Sequence, residues 1–219
     1  MKINKIAAIC KKSKQVLICR DPNDYDAHYI GDFHAIYLVT GLPELDNKII
    51  LTIFDVPEDQ KDKWIVRCTN ELNINLNDAD PDESIINWGN LSIYRFGEIL
   101  IPLKVSSGMV FMNSKYLTPT IDSGYTELYE RHTKSGELYI ALKVGMILQA
   151  VIFPENVIDE ILVEQLEELE KNCKYALELK NTKTKNSDVD HFGLKTDPDT
   201  GEIIDPDARP GSEAKEGEE

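Results

Sequence analysis

The sequence predicts an α+β protein: antiparallel sheets built from two similar units, followed by one long amphipathic helix. Three observations carry this. Residues 108–154 read as a strand, a short helix and three strands, with turn residues between them. A similar order, lacking a clear leading strand, fits the first 57 residues. Beyond residue 155, Ile158, Leu162, Leu166, Leu169, Cys173 and Leu177 recur at spacings of 4, 4, 3, 4 and 4, a single apolar stripe.

Along the chain, Asn4 is placed to cap a helix that starts at Lys5 and aligns Ile6, Ile9 and Cys10. Residues 15–20 follow as a strand through Val16, Leu17, Ile18 and Cys19, and Asp21-Pro22-Asn23-Asp24 has turn chemistry. Residues 28–39 read as one long or two short strands turning at Gly31-Asp32, stopped by Gly41-Leu42-Pro43. Residues 48–56, KIILTIFDV, read as an apolar strand stopped by Pro57. Pro57, Glu58 and Asp59 suit the first turn of a short helix over 57–67. The Asn- and Asp-rich stretch 69–90 reads as a long polar connector with a helical turn near 81–86 and Trp88 as a pin to the core.

Residues 91–96 and 98–105 form a hairpin about Gly97. Ser106-Ser107-Gly108 turns into a strand over 109–112, and Ser114 caps a short helix holding Tyr116 and Leu117, ended by Pro119. Strands over 126–132, 138–144 and 146–153 complete this half, with turns at Ser135-Gly136 and Gly145. Leu138, Ile140 and Leu142 alternate with Tyr139, Ala141 and Lys143, the pattern of a strand with one buried face. The organisation is a core over 1–154, with half-units 1–67 and 91–154 about the connector 69–90. A helix over 155–180 and an acidic tail over 181–219, with the composition of a disordered segment, complete it. The helix either packs only on its own sheet or also supplies an oligomer contact.

Charge narrows the function. The net charge is −15, yet residues 1–20 hold Lys2, Lys5, Lys11, Lys12, Lys14 and Arg20 and no acid. An acidic chain is repelled by nucleic acid overall, so any DNA contact must use this one basic segment. The segment is either a solvated face on a core helix or a phosphate-contacting surface. The 42% hydrophobic content suits a soluble core, and no run of about 18 apolar residues spans a membrane. The N-terminus lacks the apolar core and cleavage site of a secretory signal, which places the chain in the cytoplasm. Cys10, Cys19, Cys68 and Cys173 are scattered, as for free thiols.

No catalytic, cofactor or metal motif appears, and the chain reads as a non-enzyme. Asp197-Pro198-Asp199-Thr200-Gly201 lacks the later ligands of a calcium loop. The run HFGLKTDPDTGEII places His191, Phe192, Leu194, Ile203 and Ile204 in a polar tail, as a docking motif does. Glu130 and His132 share a strand face, as a salt-bridged surface patch or an acid/base pair lacking a third group.

The two halves align further. Asn4-Lys5 and Ser114-Lys115 each read as a cap before a lysine-bearing short helix. IILTIFDVPE (49–58) and ILQAVIFPE (147–155) each read as an apolar strand ended by Pro-Glu. Two strand–helix–triple-strand units per domain resemble the plan of the sliding DNA clamps, and LQAVIFP is similar to the last strand of many clamp chains. The resemblance covers about 1–154 and rests on element order. It implies a DNA-replication accessory role, with DNA met through the basic helix. Clamp rings contain six such domains, so one domain per chain implies a homo-oligomer of six copies. The second short helix carries only Lys115, and the long C-terminal helix is an addition to the clamp plan. The chain also resembles small proteins encoded in prophages of Gram-positive bacteria, which implies bacteriophage DNA metabolism and phage or host replication proteins as partners. Two other readings remain open. One is an acidic protein-binding module, a host-takeover or anti-defence factor that covers a basic surface of a host protein. The other is an enzyme whose site gathers scattered acids and His132.

Overall fold

The computed structural model describes residues 3–21, 24, 26–120, 124–183, 195–196 and 203–204. The chain divides into two units, 1–158 and 159–219.

The first unit opens with α1 (Ile3–Ser13), which buries Ile6, Ala7, Ile9 and Cys10. Asn4 lies inside this helix, so it starts earlier than the cap reading places it. The strands β1 (Gln15–Arg20), β2 (Ala27–Gly31) and β3 (Ala35–Thr40) follow as an antiparallel meander. Gly31 is required at the β2–β3 turn, because a Cβ there would lie 1.8 Å from the Ala35 carbonyl oxygen.

Residues 48–56 depart from the strand expectation. They open as α2 (Asn47–Ile53), capped by Asp46, whose Oδ1 accepts from the N–H groups of Lys48 (2.8 Å) and Ile49 (2.7 Å). Its β-branched residues favour a strand, but the cap and the burial of Ile50, Leu51 and Phe54 on one helical face prevail. Asp55, at φ 52°, ends the turn. The third strand of the first half is therefore β3, not 48–56.

A 3-10 turn (Glu58–Lys63) leads into β4 (Ile65–Thr69), so the helix expected over 57–67 is a single 3-10 turn and the start of a strand. β4 pairs parallel with β1, whereas the other pairings of this sheet among the described residues are antiparallel. The excursion through β2, β3 and α2 is long enough for such a crossover. The helical turn expected near 81–86 is instead β5 (Ser84–Ile86), paired with a later strand.

β6 (Ile93–Arg95), β7 (Glu98–Val105) and β8 (Gly108–Asn113) form a separate three-stranded sheet. A 3-10 turn (Ser114–Leu117) follows, capped by Asn113 rather than Ser114. β9 (Thr126–His132), β10 (Leu138–Val144) and β11 (Ile147–Ile152) then complete the large sheet. Its strand order is β4-β1-β2-β3-β11-β10-β9-β5. The order of the two triplets reverses across the β3–β11 seam, where Ala35, Ile36 and Tyr37 pair with Ile152, Val151 and Ala150. A helical segment precedes each triplet.

Both sheet faces are covered. On one, Val16, Ile30, Tyr37, Ile140, Leu142 and Ile152 join residues of α1, α2, β7 and β8 in the main core. On the other, Tyr29, Ile36, Tyr139, Ala141 and Val151 pack with Leu72, Ile74 and Leu76 of the Asn/Asp-rich stretch. Trp88, the expected pin, is exposed, and Leu76 is buried.

In the second unit, Asp159 caps α3 (Glu160–Lys183) through Oδ1, which accepts the Leu162 N–H at 2.7 Å. The helix starts later than residue 155, and Leu166, Leu169, Cys173 and Leu177 are exposed. β12 (Lys195–Thr196) pairs antiparallel with β13 (Ile203–Ile204). Most of the expected acidic tail, including residues 197–201 and 191–194, lies outside the described residues.

Candidate functional site

The basic segment is carried by α1, whose apolar face is anchored in the main core. Burying Ile6, Ile9 and Cys10 leaves Lys11, Lys12 and Lys14 exposed at the helix C-terminus. Cations there also complement the helix dipole. Lys14 takes a left-handed conformation, φ 55°, where the helix stops, and its carbonyl oxygen accepts the Ile65 N–H. Lys5 is half-buried, and Lys2 lies outside the described residues. Arg20 sits apart at the end of β1, in an ion pair with Glu44 at 2.5 Å. Of the six candidates, the fold therefore gathers Lys11, Lys12 and Lys14 at one place.

A cavity of about 420 Å³ adjoins that place. Lys12 and Ser13 of α1 line it, together with the β2–β3 turn, the β6–β7 hairpin and the 3-10 turn after β8. Asp32 is buried at its base. Its Oδ1 accepts the N–H groups of His34 and Ala35, both at 2.9 Å, and its Oδ2 lies 3.5 Å from the Tyr116 hydroxyl. Burial, and secondly the Asp32 charge, push the Tyr116 hydroxyl far above its ordinary pKa, so it remains a donor. The His34 ring stacks on Tyr116, with centroids 6.3 Å apart. Glu98 accepts from Asn113 Nδ2 at 3.0 Å and from Lys115 Nζ at 3.2 Å. The Asn113 hydrogen bond, then Lys115 and Lys12, hold its carboxyl below the usual range despite partial burial.

Arg95 donates to the Val157 carbonyl oxygen at 2.5 Å, and its guanidinium lies 4.7 Å from the centroid of the Phe96 ring. The sequence gives no sign of this grouping. Residues 12, 32, 95 and 116 share no spacing motif and meet only through the packing of α1 and the small sheet against the large one.

The Glu130–His132 pair is differently placed. Glu130 is buried and accepts both the backbone N–H and the hydroxyl of Ser106, which fixes the β7–β8 turn to β9. His132 Nε2 lies 3.6 Å from Glu130 and faces a second cleft of about 650 Å³. That cleft also holds Asp80, which accepts from Asn75 Nδ2 and from the Asp82 N–H. Among the described residues, no group of three His, Cys, Asp or Glu is arranged to hold a metal ion. No helix among them is long and apolar enough to cross a membrane. Comparison of the chain with protein-family models, curated proteins and solved structures finds no match in any of the three.

Proposed function

We propose that this chain is a non-enzymatic accessory protein of phage DNA metabolism that assembles from several copies and tracks duplex DNA in the manner of a sliding clamp. The observation that carries the reading is the placing of α1. An acid-free helix with Lys11, Lys12 and Lys14 exposed is anchored in the main core over the strands β1 to β3, and its lysines face outward. Three lysines per copy make a weak phosphate-binding surface, and repetition around an assembly makes it effective. Acidic charge elsewhere keeps DNA from wrapping the outside.

The test is duplex binding by fluorescence anisotropy at 50 and 200 mM salt, with native mass spectrometry of the same protein. Binding that weakens steeply with salt is expected. The triple variant Lys11→Gln, Lys12→Gln, Lys14→Gln lowers the log–log salt slope by about 3 for each copy engaged. A monomer that ignores duplex DNA at 50 mM salt overturns the reading.

One observation favours a second reading, an acidic module that covers a basic surface of a host protein. Tyr94 and Phe96 stand exposed on a hairpin of a chain of net charge −15, as anchors at interfaces do.

A further inference from the structure

We infer that the cavity beside α1 binds a nucleoside 5′-phosphate, either free or as the end of a nucleic-acid strand. The inference stands without the duplex reading, since it needs neither an assembly nor Lys11 and Lys14.

The first support is Phe96. It occupies a two-residue hairpin turn with Gly97, at φ 52°, a position that favours Asn, Asp or Gly. The residue is 82% exposed. Core burial does not explain a phenylalanine there, and the backbone disfavours it. Phe96 does line the cavity, where its ring offers a face to a planar ligand. The His34 ring, stacked on Tyr116, offers a second planar surface in the same cavity.

The second support is the charge pattern. Lys12, Arg95 and Lys115 line the cavity with Asp32, Glu98 and Glu155, and Lys115 is paired with Glu98. A simple anion meets the carboxylates, and a simple cation meets Lys12 and Arg95. A ligand with a phosphate at one end and amino or hydroxyl donors at the other satisfies both signs. About 420 Å³ falls within the range of small-ligand sites and suits a mononucleotide.

The test is isothermal titration of the full chain with dAMP, deoxyadenosine and inorganic phosphate. dAMP is expected to bind at submillimolar concentration, and the other two at least tenfold more weakly. Phe96→Gly, which relieves the turn, and Arg95→Gln are each expected to weaken dAMP at least tenfold. Lys104→Gln, exposed on β7 and outside the cavity, leaves it unchanged. Circular dichroism verifies the fold, and Phe96→Gly carries the test if Arg95→Gln fails to fold. A 5′-phosphorylated dT octamer that displaces dAMP where the unphosphorylated octamer does not identifies a strand end as the source, and no displacement identifies the free nucleotide. Absence of dAMP binding at millimolar concentration, or binding that Phe96→Gly leaves intact, overturns the inference.

Discussion

The Tyr37 hydroxyl donates a hydrogen bond of 2.9 Å to the backbone carbonyl oxygen of Tyr116, 79 residues further along the chain. Tyr37 lies on β3 beside the seam, and Tyr116 lies in the helical turn that precedes β9. One bond thus ties the first strand triplet to the helical segment of the second, inside the main core. Burial, then the Asp32 charge, raise the Tyr37 pKa well above the ordinary value, so the group stays a donor wherever the protein is folded. The same Tyr116 forms part of the cavity lining, so this bond also positions the candidate site.

Replacing Tyr37 with Phe keeps the ring and removes the donor. The buried Tyr116 carbonyl then loses this partner, at a cost of about 1–3 kcal/mol. Urea unfolding is expected to show a lower midpoint with an unchanged slope. A midpoint equal to that of the wild type contradicts this account of how the two halves are joined.

Arg131 supports the other face of the sheet. Its side chain is wholly buried on β9 and donates to the carbonyl oxygens of Asn75, Asn77 and Asp78 and to Glu83. Lys143 also pairs with Glu83. Asp78 Oδ1 in turn accepts the Leu148 N–H at 2.8 Å, where β11 shifts register against β10. The guanidinium thus gathers turn carbonyls and a carboxylate around one positive charge, as a bound cation does. Arg131→Met leaves three carbonyls and part of a carboxylate unpaired, and a loss of about 3–5 kcal/mol is expected. Hydrogen exchange is expected to rise first over residues 70–83. Uniform exchange across the sheet with no loss of stability contradicts the assignment.

The stretch around Arg131 also shows what the sequence makes legible. β1, β9 and β10 carry apolar or alternating patterns bounded by Gly, Asp or Ser, and local signals of that kind suffice. The 96–97 hairpin is equally plain from Gly97. The segment 47–53 misleads because Ile49, Ile50, Leu51 and Ile53 fit either period, and the choice is made by the Asp46 cap and by tertiary packing. The Asn/Asp-rich stretch reads as solvated loop because three apolar residues, Leu72, Ile74 and Leu76, are diluted among polar ones, several of which hydrogen-bond to one another. The lysines of α1 are visible at once, since absence of acid over 20 residues is a local property. The adjoining cavity is not visible, because its lining comes from segments joined only by the strand order.

His28 gives the fold a specific acid sensitivity. It is buried on β2, opposite Arg20 on β1 and Val39 on β3, and its Nδ1 has no hydrogen-bond partner. Burial, and secondly the Arg20 charge, lower its pKa, while Glu44 and Asp26 oppose the shift more weakly. The folded state therefore holds the neutral imidazole. Above the unfolded pKa of about 6.5 the ring is neutral in both states and adds no pH dependence. As pH falls below that value, the unfolded chain takes up a proton that the folded chain refuses. Stability then drops by at most about 1.4 kcal/mol per pH unit, until the lower folded pKa is passed. His28→Leu removes this titration, so its stability is expected to change less between pH 7 and pH 5 than that of the wild type. Urea unfolding across that range decides the matter: equal slopes for wild type and His28→Leu mean that His28 does not set the acid limb.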